Sequence, residues 1–512
     1  MNGAESLVRT LVAGGVDVCF TNPGTSEMHF VAALDRVDGM RAVLALHESV
    51  ATGAADGYWR MADKPASTLL HLGPGLANGL SNIHNARKAS SGIVNIIGEH
   101  ASWHLKYDAP LSSDIEGIAR PLSDWVKTSR SSNEIARDTA EAIAEARKSR
   151  IASLILPGDT AWEEASGTAT TQSQHSLDQA SAADIVKAAK ALLSGEKTML
   201  VIAGRSLRGR ALELAGRIAG KTGAVLGTQF FSSRVERGAG RVPTYRIPYF
   251  VDACLPALKD FRHFVTIETR EPVSFFAYPG KPSLMKPEGA QVHEVCAPGA
   301  DGLAALEALA EAVGAKASDA RHQARTEDVI PTGPLTPPAI AQILSALIPE
   351  NGIVVDESIT TGRESISVTA GARPHDWIQN MGGSIGVGLP LATGAAMACP
   401  DRRVISLSGD GSAMYSLQAL WTQARESLNV TTLVFANRAY QILRTEFAGV
   451  GAGAPGPKAA AMMSLENPVI DFAALSRSMG VPATRVSTCE ELARVLAGVN
   501  GMPGPHLIEV MM

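Results

Sequence analysis

Short apolar runs alternate along the chain with longer stretches whose apolar positions recur at helical spacing. The opening MNGAESLVRTLVAGG places Leu7, Val8, Leu11 and Val12 on one face of an amphipathic helix. From there to about residue 165, β-rich runs at 16–20, 41–46, 67–71 and 93–97 are separated by helical stretches that open on Gly, Pro, Ser or Thr. Strands alternating with helices predict a parallel sheet covered on both faces.

The alternation recurs twice more. Between about 183 and 325 the strand candidates are 198–203, 224–227, 263–268 and 291–295. Between about 336 and 512 they are 352–356, 403–407, 430–435, 483–486 and 506–510. The polar segment 167–182 and the proline-bearing segment 316–338 read as linkers. The expectation is an α/β chain of three doubly wound parallel-sheet domains, at 1–170, 183–325 and 336–512.

Composition narrows the partners. The 512 residues are 45% hydrophobic and 19% charged, with 48 Gly and 28 Pro, which suits a multidomain α/β protein rich in tight turns. A formal charge of -5 and the lack of any Lys/Arg-rich run argue against nucleic acid or a membrane surface as partner. No apolar run is long enough to span a membrane. The scattered Cys19, Cys254, Cys296, Cys399 and Cys489 form no CxxC pair, so neither a disulfide framework nor a zinc site is expected. A reducing cytoplasm fits that usage, and the start shows no signal peptide.

The chemistry concentrates in the third unit. Strand 403–407 runs into Ser408-Gly409-Asp410-Gly411-Ser412 and then a helix to about residue 426, while strand 430–435 ends at Asn437-Arg438-Ala439. Both loops fall at carboxyl ends of parallel strands, where open α/β sheets bind ligands. Asp410 offers a carboxylate, Asn437 an amide oxygen and Ala439 a backbone carbonyl. With two phosphate oxygens and a water, these complete a six-oxygen shell for a hard divalent ion. Gly409 and Gly411 admit backbone N–H groups to a diphosphate, and Ser412 adds a hydroxyl near a positive helix terminus. A plain strand–turn–helix link would use the same glycines, but the Asn at the next strand end favours the metal. No Gly-x-Gly-x-x-Gly opens a βα turn, which disfavours a nicotinamide dehydrogenase.

GDGS followed by FANRAYQIL resembles the thiamine diphosphate–magnesium motif of the thiamine-diphosphate-dependent 2-oxo acid decarboxylases and acetolactate synthases. That motif usually ends in two asparagines, where this chain has Ala436-Asn437. The resemblance implies Asp410, Asn437 and Ala439 as Mg2+ ligands, with Gly409, Gly411, Ser412 and Asn437 holding the cofactor.

A second resemblance lies in the first unit. His47-Glu48-Ser49 and the small-residue run to Tyr58 are similar to the family's Glu–x–x–Ala/Val–x–x–x–Ala–Asp–Gly–Tyr stretch. Glu48 then corresponds to the acid that protonates the aminopyrimidine ring, so that its imine removes the thiazolium C2 proton. The macrodipole favours Glu in the first turn of any helix, and only the paired motifs single this one out.

Further positions follow from the resemblance. FTNPGTSE resembles an active-site loop of benzoylformate decarboxylase-like enzymes, with Thr25 meeting the substrate carboxylate; a type II turn with Thr25 capping a helix is equally compatible. His71 corresponds to an active-site histidine suited to proton transfer. The loop 382–390 resembles the one that holds the aminopyrimidine through the Gly383 carbonyl and the Ile385 N–H, with the Ile385 side chain beneath the cofactor. Thr360 matches a diphosphate contact, and Leu443 and Phe447 fall where the substrate pocket is walled. A second pocket histidine, expected near Phe275-Phe276-Ala277-Tyr278, is absent, and the middle unit shows no flavin signature.

The implied activity is a lyase that decarboxylates a 2-oxo acid through a C2 ylid and an enamine. A carboligase joining that enamine to a second carbonyl, or a non-catalytic cofactor-binding homologue, are the alternatives. The implied partners are a small-molecule 2-oxo acid and further copies of the chain, as a dimer or tetramer, since in this family the acid faces the diphosphate site across subunits.

Overall fold

A computed structural model of the chain describes residues 1–169 and 177–512. The first sheet carries β1 (Val18–Asn22), β2 (Arg41–Leu44), β3 (Ala66–Leu70), β4 (Ile93–Glu99), β5 (Trp125–Thr128) and β6 (Ile151–Pro157). They run parallel in the order β2-β1-β3-β4-β6-β5. The second unit contributes β7 (Thr198–Ile202), β8 (Val225–Thr228), β9 (Val235–Arg237), β10 (Tyr245–Arg246), β11 (His263–Ile267) and β12 (Gln291–Cys296). All but β9 form a parallel sheet in the order β10-β8-β7-β11-β12. The third sheet holds β13 (Gly352–Glu357), β14 (His375–Gln379), β15 (Val404–Gly409), β16 (Val430–Ala436), β17 (Ala483–Val486) and β18 (His506–Met511). Its order is β17-β18-β16-β15-β13-β14-β9, with β9 added antiparallel at the edge.

Every expected strand forms, shifted at its ends by up to two residues. Strands β5, β6, β9, β10 and β14 are additional. β14 reads as polar, HDWIQ, yet is wholly buried, because Asp376 is paired with Arg234 at 2.7 Å and with Arg402 at 2.6 Å. The helix expected from Ser412 to about residue 426 is broken into Asp410–Ala413 and Ala419–Arg425, with the Tyr415 N–H turning back onto the Ser412 carbonyl between them.

Of the polar linker at 167–182, residues 170–176 lie outside those described. The segment 316–338 clings to the third unit: Asp328 pairs with Arg325 and Arg373, the Thr326 N–H donates to the Gly371 carbonyl, and the Gly333 N–H donates to Glu490. Among the described residues no helix is long and apolar enough to cross a membrane.

The third sheet joins the other two units because side chains alternate across a strand. Leu407, Leu433 and Phe435 enter a core shared with the central unit, whereas Val404, Val430 and Val434 enter one shared with the first. On that second side the helices Glu48–Ala62 and Gly388–Ala398 pack backbone to backbone. A methyl at Gly394 would stand 1.9 Å from the Ala54 carbonyl oxygen, and one at Gly57 would stand 2.2 Å from that of Leu391. No residue with a Cβ fits either place without the helices parting.

Candidate active site

Parallel pairing sets the first half of the site. Asn22 of β1 lies opposite Leu70 of β3, so the residues that follow each strand emerge side by side. The turn Thr25–Glu27 is thereby brought against His71. Glu27 Oε2 accepts the Gly24 N–H at 2.8 Å and lies 2.8 Å from His71 Nδ1. The Glu27 side chain is fully buried, and its Oε1 lies against Gly98 with no hydrogen-bond partner. Burial holds this carboxyl above the usual range, and the His71 charge draws it partly back. His71 keeps 23% of its side chain exposed, so one edge of the ring remains reachable. Thr25, at the head of the turn, is exposed and caps no helix; Gly24 holds the cap position.

Glu48 opens the helix Glu48–Ala62 and is 8% exposed. Asn78 Nδ2 donates to its Oε2 at 3.1 Å. A methyl at Gly75 would stand 3.3 Å from both Glu48 Oε1 and His71 Cβ, so acid and imidazole flank one glycine. Sequence reasoning did not single out Glu27. Its one signal was a Glu ending the same loop as Thr25.

The second half lies at the ends of β13, β15 and β16. Asp410 is 3% exposed; its Oδ1 accepts the Gly411 N–H at 2.7 Å and its Oδ2 the Arg438 N–H at 2.6 Å. Burial raises its carboxyl, and these N–H groups draw it back. Asn437 Oδ1 accepts the Ala439 N–H at 3.0 Å, which folds the turn and brings amide oxygen and backbone carbonyl into one loop beside Asp410. A buried carboxylate with no cationic side chain in ion-pair contact among the described residues, beside an amide and a carbonyl oxygen, suits a hard divalent cation.

The loop before helix Gly388–Ala398 is tied down from both sides. Asn85 donates to the Ser384 carbonyl at 2.8 Å and accepts its N–H at 3.2 Å, while Asn380 Oδ1 accepts the N–H groups of Gly382 and Gly383. Glu357, at the end of β13, accepts the N–H groups of Gly386, Val387 and Gly388 and the Asn380 amide. Burial pushes this carboxyl up to about 7 even against those donors. Among the described residues no hydrogen bond engages the Gly383 carbonyl or the Ile385 N–H, which leaves both for a ligand. Ile385 is half-buried, and the Phe275 ring stands 2.5 Å from where a Gly383 side chain would begin.

Three non-glycine residues adopt the left-handed conformation next to candidate residues: Leu72 (φ 47°) after His71, Ile359 (φ 53°) before Thr360, and Arg438 (φ 55°) after Asn437. Each costs free energy that packing must offset, most of all the β-branched Ile359. Gly409, Gly411, Ser412 and Thr360 gather at these same strand ends. On helix Gln441–Gly449, Leu443 is 48% exposed and Phe447 half-buried, while Glu446 between them is buried and accepts the Tyr278 hydroxyl at 3.0 Å.

Among the described residues no hydrogen bond joins Glu27, Glu48 or His71 to the loops of the second half, although His84 and Asn85 of the helix Leu72–Lys88 bond to Gly382 and Ser384. Asn78, which holds Glu48, and Asn85, which holds Ser384, sit on the same helix, Leu72–Lys88, about 10 Å apart at the helical rise.

The family model for the thiamine pyrophosphate enzyme N-terminal TPP binding domain matches residues 1–118, and that for the C-terminal TPP binding domain matches 363–510. A Mycobacterium tuberculosis protein provisionally named acetolactate synthase large subunit IlvX is 49% identical, covering 100% of this chain and 99% of its own. Benzoylformate decarboxylase of Pseudomonas aeruginosa is 29% identical over 97% of this chain and 96% of its own. The thiamine diphosphate-dependent 4-hydroxybenzoylformate decarboxylase of Rhodococcus jostii RHA1 shares the fold with a TM-score of 0.86 at 25% identity, covering 100% of this chain and 99% of that one. The chain therefore belongs to the thiamine pyrophosphate enzymes, as a thiamine-diphosphate-dependent member of the decarboxylase and acetolactate synthase group.

Proposed function

We propose that the chain is a lyase that decarboxylates a 2-oxo acid to an aldehyde, with thiamine diphosphate tethered through Mg2+ to Asp410, Asn437 and the Ala439 carbonyl. The observation that carries this reading is the placing of Glu48 and of His71, whose Nδ1 is engaged by Glu27, on either side of Gly75. Bound thiamine diphosphate supplies a carbon nucleophile and an electron sink.

The chain's own groups do the rest. Thr360, Gly409, Gly411 and Ser412 would hold the diphosphate, and the Gly383 carbonyl with the Ile385 N–H and side chain would hold the ring. Glu48 holds a proton at Oε1, the oxygen not committed to Asn78. His71 moves a proton at Nε2, since Nδ1 faces Glu27. Thr25 meets the substrate carboxylate, and Leu443 and Phe447 wall the far side. A second copy of the chain, in a dimer or tetramer, brings one chain's Glu48 to another's diphosphate loops.

Reconstitution with thiamine diphosphate and magnesium, followed by a panel of 2-oxo acids with products identified by mass, tests the reading. Carbon dioxide with free aldehyde is expected, and a loaded chain that turns over none of them refutes it. The name of the 49% identical relative favours a carboligase as second reading, for which the product is a 2-hydroxy ketone.

A further inference from the structure

The seam between the central unit and the third sheet holds a cationic cluster that the proposed reaction does not use. Arg363 follows β13 through a turn in which its N–H donates to the Thr360 carbonyl at 3.4 Å. Its guanidinium carbon stands 4.6 Å from the Phe250 ring centroid and 5.2 Å from that of Tyr249. Such stacking holds a planar cation by its faces and leaves its edge donors for a partner. Yet among the described residues Nη1 is buried without a hydrogen-bond partner, and no carboxylate lies within ion-pair distance. Burial draws this guanidinium below the ordinary arginine range. Glu446, which attracts it, is already held through Oε2 by the Tyr278 hydroxyl at 3.0 Å.

A neighbouring guanidinium deepens the imbalance. Arg246 lies 3.5 Å over the Phe230 ring, donates Nε–H to the Phe230 carbonyl at 2.6 Å and Nη1–H to the Arg363 carbonyl at 3.4 Å, and likewise forms no ion pair among the described residues. Burial lowers it to about 10. A water molecule could satisfy the orphan N–H but not the positive charge of these two half-buried guanidiniums, which Glu446 and Asp356 offset only from beyond ion-pair distance. An anion relieves both.

We propose that Arg363, backed by Arg246, is an oxyanion subsite that takes a carboxylate or phosphate group of a bound small molecule. Two rings link the cluster to the candidate active site: Tyr249, against which Arg363 stacks, lies 5.7 Å from Phe275 between ring centroids, and Phe275 stands against Gly383. Only the identity of the anion rests on the cofactor reading. The same chemistry serves a distal carboxylate of the 2-oxo acid or the diphosphate tail, whose expected contact Thr360 lies in the same turn.

Calorimetric titration tells the sources apart. Inorganic pyrophosphate is titrated into the cofactor-free chain. Then 2-oxoglutarate and 2-oxovalerate are titrated into the chain loaded with thiamine diphosphate and magnesium. Wild type, Arg363→Met and Arg363→Lys are compared, with folding checked by near-ultraviolet circular dichroism. A loss of about tenfold or more for pyrophosphate in Arg363→Met assigns the anion to the tail. The same loss for 2-oxoglutarate, with 2-oxovalerate unmoved, assigns it to a distal carboxylate. Should Arg363→Met not fold, Arg363→Lys decides alone, since it keeps the charge and loses the planar fork; a loss of about threefold or more supports the site. Unchanged affinities in a folded variant overturn the proposal, as does a wild-type chain that binds neither pyrophosphate nor 2-oxoglutarate. A chain that binds an anion through Arg363 but never retains thiamine diphosphate sinks the cofactor reading and leaves this one standing.

Discussion

Glu27 Oε2 and His71 Nδ1 stand 2.8 Å apart, an acid and an imidazole brought together by the parallel pairing of β1 and β3. The ring also lies against Gly24, where a methyl would come within 2.1 Å of Nδ1. With Glu27 ionised, Nδ1 carries the proton shared with the carboxylate, and Nε2 is left as the working nitrogen.

In the proposed reaction Glu27 serves as a positioning residue for His71. Glu27→Gln is expected to lower kcat by about tenfold or more, to displace the pH profile of kcat, and to leave thiamine diphosphate affinity alone. Glu27→Asp should recover part of the loss. Steady-state kinetics across pH checks this; an unmoved profile would show that the pair merely fills space.

Glu48→Gln keeps an oxygen for Asn78, so the helix start should stay folded. Turnover should fall by at least about a hundredfold, and C2 hydrogen exchange of bound thiamine diphosphate, followed by NMR, should slow in parallel. Exchange at the wild-type rate would remove Glu48 from the reaction.

Asp410→Ala deletes the one carboxylate among the candidate metal oxygens. Magnesium-dependent retention of thiamine diphosphate should drop by about a hundredfold or more in equilibrium dialysis, with chelation of the wild type producing the same loss. Affinity equal to wild type in the variant would place the cation elsewhere.

Glu357 gives stability a pH dependence of defined sign. Its carboxyl lies at about 7 when folded and at the ordinary 4.5 when unfolded, so the folded state holds the extra proton between those values. Its contribution is therefore full below about pH 4.5 and is lost as pH rises towards 7, by about 3 kcal/mol. Urea unfolding from pH 4.5 to 7 should show this fall in the wild type and a flatter slope in Glu357→Gln, whatever that variant's absolute stability. Parallel slopes would mean that Glu357 does not titrate in this range.

Gly394→Ala tests the packing that holds the first and third units together. The added methyl meets the Ala54 carbonyl oxygen at 1.9 Å, and a backbone oxygen has no rotamer by which to yield. A destabilisation of about 1–3 kcal/mol is expected from the urea midpoint. A midpoint equal to wild type would show that the two helices separate at no cost.

Much was legible without coordinates wherever the relevant neighbours are close in sequence or tied by one strand–helix–strand return. That Asp410, Asn437 and Ala439 fall on neighbouring loops was readable because a parallel sheet sets consecutive strand ends beside each other, and that Glu48 opens a helix because it follows a strand end; the roles proposed for them came from the family resemblance. The alternation of apolar runs likewise determined three parallel sheets. Glu27, Glu357 and Arg363 were not readable, since each takes its meaning from partners in distant segments: His71 through the register of β1 with β3, the loop 386–388 through the seating of a helix start on a strand end, and Tyr249 and Phe250 through the docking of the central unit. β14 stayed hidden because its buried polar residues are satisfied by arginines far along the chain. Local order follows from backbone sterics and apolar periodicity, which short stretches of sequence carry; the partner of a buried charge is decided only when packing removes water and leaves it one place to turn.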